Sequence, residues 1–361
     1  MSSACEINPK TGSLDNQFLY IDLESVVKGS LVKRQIIEKD GAPSRAQRVL
    51  KENDILYQCV RPYQLNNYIF EGDTIQCVAS TGYAQLRTTQ FPLYIFQALH
   101  TKQFTNQVLE RCTGTNYPAI NSSDLGTVEV PICSLPEQVK IGSLLALIDS
   151  RIKTQSKIIE ELTALRSALT EKSSRQAGTL FSLADILEET DERSTVVNQY
   201  QVLSSTVKGI FSQKEYFNKD IASEDNKGYK VVRRGNVVLS PQNLWMGNIN
   251  YNNRFDVGIV SPSYKIYSIK KGFNPTFIAA LLKTKKALYE YMLASEQGAS
   301  VVRRNLNVEA FMGITFRIPN TYQQEVLSKA IAAIDLKLSN ELAIFEQLQL
   351  QKGSLLENMF I

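Results

Sequence analysis

Histidine is nearly absent from this 361-residue chain, which holds only His100. A paired-histidine metal site is thereby excluded, and His100 reads as a satisfied surface or half-buried residue in a helix over Tyr94–Lys102 and not as a member of a triad. Cysteine is scarce: the five, at 5, 59, 77, 112 and 133, form no C-x-x-C pair and all fall in the first half. Neither a zinc site nor a disulfide framework is suggested, and the thiols read as reduced and intracellular. No apolar run approaches the ~20 residues that a membrane span requires, and Met1-Ser-Ser-Ala-Cys-Glu lacks the basic-then-apolar order of a signal peptide. The expectation is a soluble, cytoplasmic protein. There is no Gly-Lys dipeptide and so no ordinary phosphate loop, no Gly-rich dinucleotide fingerprint, no H-E-x-x-H, and no Asn/Asp-Pro-Pro-aromatic motif of amino-methyltransferases. The chain is expected to have no catalytic residues, metal or cofactor of its own. The acidic pairs Glu188/Glu189 and Asp191/Glu192 read as a solvated helix end, not as an acid/base site.

What is present is length enough for two or three domains, 43% hydrophobic residues, and 40 Lys+Arg against 36 Asp+Glu. A net charge of +4 permits a polyanionic partner without demonstrating one.

An internal repeat organises the sequence. Residues 130–174 and 316–360 share a pattern, and placing Asp149 on Asp335 also aligns Gln138 with Gln324, Ile141 with Leu327, Ile148 with Ile334, Leu162 with Leu348 and Leu169 with Leu355. In each copy the apolar residues keep a 3-4 spacing: Ile141, Leu145, Ile148, Ile152, Ile159, Leu162 and Leu169, then Leu327, Ile331, Ile334, Leu338, Phe345, Leu348, Leu355 and Met359. Polar Gln155 and Arg166 interrupt the first stripe. These are coiled-coil seams, and roughly 40 helical residues make a rod about 60 Å long. Two separate amphipathic helices packed on their own domains are the other reading of the pattern.

The repeat extends upstream. Lys51-Glu-Asn-Asp-Ile-Leu-Tyr resembles Arg233-Arg-Gly-Asn-Val-Val-Leu, a charged turn before a strand. Phe91-Pro-Leu-Tyr-Ile-Phe and Asn274-Pro-Thr-Phe-Ile-Ala are Pro-started helices. Glycine-opened loops at 114 and 298 lead to strands expected over 126–132 and 313–318. The pattern predicts globular domain 1–134, helix 135–177, globular domain 178–319 and helix 320–361, with net charges of −1, +2, +5 and −2. The basic excess sits in the second globular segment, so binding of DNA by the first must use local basic patches.

At Pro136-Glu-Gln…Ile148-Asp-Ser-Arg-Ile…Ile159-Glu-Glu-Leu, and in its second copy, the sequence resembles the specificity subunits of type I restriction-modification systems. Further phrases shared with that family are Glu6-Ile-Asn-Pro-Lys with Tyr20-Ile-Asp-Leu, Ala42-Pro-Ser-Arg-Ala-Gln-Arg, Asp54-Ile-Leu-Tyr-Gln-Cys-Val-Arg-Pro and Leu355-Leu-Glu-Asn-Met-Phe-Ile. The first domain lacks the Leu-x-Asp-Ile lead-in that the second shows at Leu183-Ala-Asp-Ile, and Tyr322-Gln-Gln stands where Pro-Glu-Gln is expected. The resemblance implies an α/β (α+β) fold of two target recognition domains held apart by a long antiparallel two-helix coiled coil, with pseudo-two-fold symmetry. It also implies a non-catalytic role, reading a split, asymmetric site in double-stranded DNA. Methyltransferase subunits would dock on the helices and restriction subunits would join through them. S-adenosylmethionine, ATP and Mg would belong to the partner subunits.

Reading duplex DNA takes cations for phosphates and Arg, Asn, Gln or aromatic side chains at base edges. Candidates on expected loops of the first domain are Arg45, Arg48, Arg61, Tyr63, Asn66, Asn67, Asn116 and Tyr117. In the second domain they are Lys208, Lys214, Arg233, Arg234, Gln242, Asn243, Trp245, Asn248, Arg303 and Arg304. Trp245, the sole tryptophan, also suits a core position. A coiled-coil scaffold that never touches DNA, or a phage or transposon regulator reusing the fold, is the alternative reading.

Overall fold

The computed structural model describes residues 1–175, 178–217, 225–297 and 304–360. Two helices dominate, Leu135–Arg175 and Thr321–Met359. The chain divides into two compact units, Met1–Lys157 with Ala343–Ile361, and Ile158–Leu342, so each unit takes its own stretch of both long helices.

The first unit is built on an antiparallel sheet ordered Cys5–Ile7, Tyr83–Thr88, Ile55–Gln58, Tyr68–Ile69. The second unit repeats the order with Leu187–Thr190, Lys265–Ile269, Asn236–Leu239 and Ile249–Tyr251. The charged turn that opens each central strand is closed in the same way. Asp54 Oδ2 accepts from the Lys51 amide at 2.7 Å, and Asn236 Oδ1 accepts from the Arg233 amide at 2.7 Å. Asp54 is also buried against Gln85 and the Arg87 guanidinium. In the first unit a second sheet, Gln35–Glu38, Gln17–Ile21, Cys77–Ser80, Ala46–Val49, contains one parallel pair.

Two helices follow the sheet in each unit. Pro92–Ala98 and Pro275–Leu281 start on proline, whose missing N–H is no loss at a helix N-terminus. Lys102–Arg111 and Lys285–Leu293 start after Thr101 and Thr284, whose hydroxyls accept from Phe104 N and Ala287 N. These helices cover the sheets, with Ile95, Leu99, Phe104 and Val108 buried in one unit and Phe277, Ile278, Leu281 and Tyr291 in the other.

The long helices clamp onto this frame through the repeated glutamine. Gln138 Oε1 accepts from Phe91 N at 3.1 Å, and its Nε2 donates to the Cys133 carbonyl. Gln324 does the same with Asn274 N at 2.8 Å and the Pro319 carbonyl. Within the first unit the helices run antiparallel: Asp149 meets Lys352, while Ile141 and Leu145 share a core with Leu355, Leu356 and Met359. Gly142 makes the approach possible, since a Cβ there would sit 2.7 Å from Tyr94 N and 3.0 Å from the Phe91 ring.

Two local expectations fail. The strand expected over 126–132 is absent: the helix Ser122–Thr127 runs through its start, and the residues after it find no strand partner among the described residues. The equivalent segment, Thr315–Ile318, is a strand because it pairs with Thr179–Ser182. The acidic run read as a helix end is a short helix, Leu183–Ile186, and then the strand Leu187–Thr190. Its carboxylates are engaged, Asp191 with Arg193 and Lys230, and Glu192 with Arg233.

Candidate nucleic-acid interface

The central strand of each unit ends in a tight turn that carries candidate side chains. In the first unit the turn is the 3-10 helix Pro62–Gln64, bracketed by Arg61 and Leu65, both in the left-handed region at φ 54. Such a conformation is costly for residues with a Cβ and persists only when the surroundings over-determine it. Gln58 and Asn67 supply that constraint. Gln58 Nε2 donates to the Val60 carbonyl and to Gln64 Oε1, its Oε1 accepts from Asn66 N, and its own amide donates to Asn67 Oδ1 at 2.9 Å. A second loop closes on the turn where Arg61 N donates to the Pro118 carbonyl at 2.7 Å. The Arg61 guanidinium lies 4.3 Å over the ring of Tyr117. Tyr63 and Tyr117 are exposed by 50% and 63%, and Asn116 is exposed beside them. One patch therefore offers a cation, two aromatic faces and an amide.

The second unit repeats the frame with different chemistry. Its turn is Leu244–Met246, ended by Gly247 at φ 89, which needs glycine's freedom. Arg304 N donates to the Gln242 carbonyl at 3.2 Å, and the Arg304 guanidinium lies 4.7 Å from the Trp245 ring. The pair is exchanged between the units: the turn side supplies the cation and the loop side the aromatic ring in the first, and the reverse holds in the second. Gln242 is exposed, and Asn243 and Trp245 are half-buried, so Trp245 is not a core residue. Such stacked cation–aromatic pairs can take bases or phosphates at their open edges.

The other candidates lie elsewhere. Asn67 and Asn248 are buried at 1% and 4% exposure, and Asn248 is held by Ser205 through both amide atoms. These two asparagines shape the turns and are not available to DNA. Asn66 uses its carbonyl oxygen on Lys28 N. Arg233 and Arg234 stand at the opposite end of the central strand, paired with Glu192 and Asp256, each at 2.8 Å. Lys208 is exposed at the tip of the hairpin Leu203–Ser212, and Lys214 is exposed just after it. Arg45 is exposed, whereas Arg48 is half-buried within the strand Ala46–Val49, where burial lowers its pKa. Arg48 and Lys10 line a shallow groove with Asn8, Thr11 and Gln47. Arg303 lies outside the described residues.

Two ionisable residues behind the turns went unnoticed as a pair in the sequence. His100 and Lys283 occupy equivalent places after the Pro-started helices. Lys283 Nζ donates to the Gly247 carbonyl at 2.8 Å. Burial first, and the nearby Arg166 charge second, push its pKa down to about 8. His100 Nδ1 bonds the Phe96 carbonyl at 2.7 Å, and its Nε2 lies 3.5 Å from Asn67 Nδ2. Burial, then Lys352, push His100 down to about 4. The alignment of Pro92 with Pro275 would have juxtaposed the two, but one is an imidazole and the other an ammonium.

Among the described residues no group of three or more His, Cys, Asp or Glu side chains could hold a metal, and no helix is long and apolar enough to cross a membrane.

Comparison with known proteins bears on both the sequence and the fold. Residues 5–164 match the type I restriction modification DNA specificity domain. The HindI specificity subunit of Haemophilus influenzae is 24% identical over 162 residues, 43% of this chain and 32% of that protein, so the chain spans about a third of the length of the curated relative it matches. The S subunit of a type I restriction-modification system from M. genitalium superposes with a TM-score of 0.61 at 15% identity, covering 100% of this chain and 94% of that one. A structure from a study of assembly and conformational transition of the type I R-M system gives a TM-score of 0.54 at 16% identity, covering 99% and 96%. The two structural likenesses establish the fold, an α/β arrangement with two long helices. The domain match thus covers the first copy of the repeat, and the likeness to the two solved structures extends the fold over the whole length.

Proposed function

We propose that this chain is the DNA-reading subunit of a cytoplasmic methyltransferase and endonuclease complex, recognising a bipartite, asymmetric duplex target. One observation carries the reading: a duplicated frame presents two non-identical patches, Arg61 with Tyr117 and Trp245 with Arg304, at the same place in each unit. Equivalent frames give two heads of one kind, and different side chains on them give two different half-sites. Tyr63, Asn116, Gln242 and Asn243 are the nearest candidates for base edges. Lys208, Lys214 and Arg45, exposed on other loops, suit phosphates.

The long helices supply the second part of the proposal. Leu144, Leu147, Leu165, Leu336 and Leu350 are 41–67% exposed on them, an apolar load that a solvated helix does not need. Methyltransferase subunits dock there, restriction subunits join through them, and S-adenosylmethionine, ATP and Mg are held by those partners. The domain scheme proposed is the sequence repeat: recognition domains 1–134 and 178–319, spacer helices 135–177 and 320–361.

Methylome sequencing of cells expressing the chain with its methyltransferase subunits tests the proposal. A split motif with two unlike halves is expected. A methylation pattern independent of this chain would overturn it.

A further inference from the structure

The first unit holds a groove of about 400 Å³ lined by Asn8, Lys10, Thr11, Gln47 and Arg48 with the apolar Leu14, and no acidic residue lines it. The segment that forms one wall is pinned at both ends. Asn8 Oδ1 accepts from Gln85 N at 3.0 Å and its Nδ2 donates to Ser122 Oγ at 2.7 Å, while Gln76 Nε2 donates to the Ser13 carbonyl at 3.2 Å. The other wall is the strand Ala46–Val49, at the edge of its sheet, whose register shifts between Ala46 and Arg48. A bulge of this kind bends an edge strand and re-aims its side chains. Arg48 is half-buried there, and its Nε is buried with no hydrogen-bond partner among the described residues. Arg87 of the same unit is also half-buried, but Asp54 meets it at 2.7 Å. An unanswered guanidinium nitrogen is costly to bury, and the chain supplies no anion for this one.

We propose that the groove is an anion site that takes one phosphodiester of the DNA backbone beside the half-site read by the first unit, with Arg48 and Lys10 as its cations. Its place in the fold favours DNA over a free anion or an acidic protein. Thr81 N donates to the Arg45 carbonyl at 2.9 Å, and Cys59 N donates to the carbonyl of the next residue, Gly82, at 3.0 Å. The edge strand therefore starts where the central strand ends, and Arg61, stacked on Tyr117, follows Cys59 by two residues. Residues 1–134 carry a net charge of −1, so backbone binding there needs cations gathered locally and not an overall field. The groove is open, as a polymer that enters and leaves requires: Lys10 and Thr11 are exposed, and a Cβ on Gly12 would meet nothing within 4 Å. Arg48 is the fixed donor, Lys10 adds a point charge and Thr11 a hydroxyl. Asn8, with both ends of its amide engaged, only frames the wall. A phosphate held here sets the register of the reading patch and carries no sequence information of its own.

The inference rests on the DNA reading, and its test separates the two. The assembled complex is titrated with duplexes in which one backbone phosphate at a time is replaced by an uncharged methylphosphonate, using wild type, Arg48→Met, Arg48→Lys and Lys10→Gln. In wild type, one or two adjacent positions beside the half-site that responds to Arg61→Ala are expected to lose about tenfold in affinity when neutralised. Arg48→Met removes that sensitivity and lowers the slope of log K against log salt by about 0.9, with base preference kept in both half-sites. Arg48→Lys keeps part of the sensitivity, and Lys10→Gln loses part. Because Arg48 Nε has no partner in the free chain, the Tm of Arg48→Met should be kept or raised. An unchanged methylphosphonate profile in Arg48→Met overturns the proposal and leaves the DNA reading standing. So does an Arg48→Met chain that fails to assemble with its partner subunits without DNA, which would assign the groove to a carboxylate of a partner. Binding of inorganic phosphate at Arg48 with no sensitive position in the duplex also overturns it, in favour of a free anion. Duplex binding without base preference, but with sensitivity that Arg48→Met removes, overturns the DNA reading and keeps the groove. If Arg48→Met does not fold, Lys10→Gln and Arg48→Lys decide by the same criteria.

Discussion

Asp149 Oδ1 accepts from Lys352 Nζ at 2.5 Å, and in the repeat register this is the same contact as Asp335 with Arg166, the roles of the two helices exchanged. An intramolecular two-fold in the sequence has become two ion pairs, one in each compact unit. The Asp149 and Lys352 side chains are 34% and 20% exposed, so solvent screens the pair and its contribution to stability is modest. Lys352→Met leaves Asp149 with Gln97 as partner and should cost about 1 kcal/mol, measured by denaturant unfolding beside the Gln97→Ala and double variants.

Arg304→Ala should weaken DNA binding by the assembled complex and flatten its salt dependence. Each lost phosphate contact lowers the slope of log K against log salt by about 0.9. A role in reading a guanine would show instead as ~1–3 kcal/mol of lost discrimination at one base, with the salt slope kept. Arg61→Ala makes the same test in the first unit, and the two variants should affect different half-sites. Titrations at several salt concentrations, run on duplexes altered in one half at a time, separate these outcomes.

Gly142→Ala should be disruptive out of proportion to one methyl group. The added carbon would meet the Tyr94 amide at 2.7 Å, which is backbone and cannot swing aside. Overpacking of this kind costs ~1–3 kcal/mol. A fall in Tm, with helix content kept, is the expected result.

The repeat, the Pro-started helices and the paired long helices were legible in the sequence because each rests on local periodicity or on a residue with a fixed backbone preference. The strand expected over 126–132 was not excluded by its sequence, since what makes Thr315–Ile318 a strand is its distant partner Thr179–Ser182. Arg61 and Tyr117 were both candidates, but only the folded chain shows that they stack. Asn67 and Asn248 look like any loop asparagine in sequence. Their burial is fixed by Gln58 in one case and Ser205 in the other, neither of which has a local signature.

His100 and Lys283 each make the chain more stable as pH rises, relative to variants that cannot titrate, in two separate pH windows. The folded pKa of His100 is about 4 against an ordinary 6.5, so between these values the unfolded chain takes the proton first. Stability is therefore lost as pH falls from 6.5 to 4, and the wild type should lose on the order of 2–3 kcal/mol relative to His100→Asn across that window. Lys283, at about 8 against 10.5, is protonated in both states below pH 8. Between 8 and 10.5 only the unfolded chain holds that proton, so wild type gains stability relative to Lys283→Met as pH rises. Thermal unfolding of the wild type and both variants from pH 4 to 10.5 checks the shared sign in each window.

The helix Leu135–Arg175 passes from one compact unit into the other without a break, as does Thr321–Met359. If these helices set the spacer between half-sites, lengthening them must lengthen the spacer and leave the recognised bases alone. Asp149 and Arg166 are as far apart along the first helix as Asp335 and Lys352 along the second, so insertions of equal length after Leu162 and after Leu342 keep both ion pairs available. Seven residues add ~10.5 Å and return the apolar stripe close to its starting face, whereas two turn it away. Four add ~6 Å with about 40° of rotation. At ~3.4 Å per base pair the seven-residue pair of insertions should widen the spacer by about three base pairs, and the two-residue pair should fail. Methylation motifs of the insertion series make the measurement. Altered half-sites with a constant spacer would show that the helices do not set the distance.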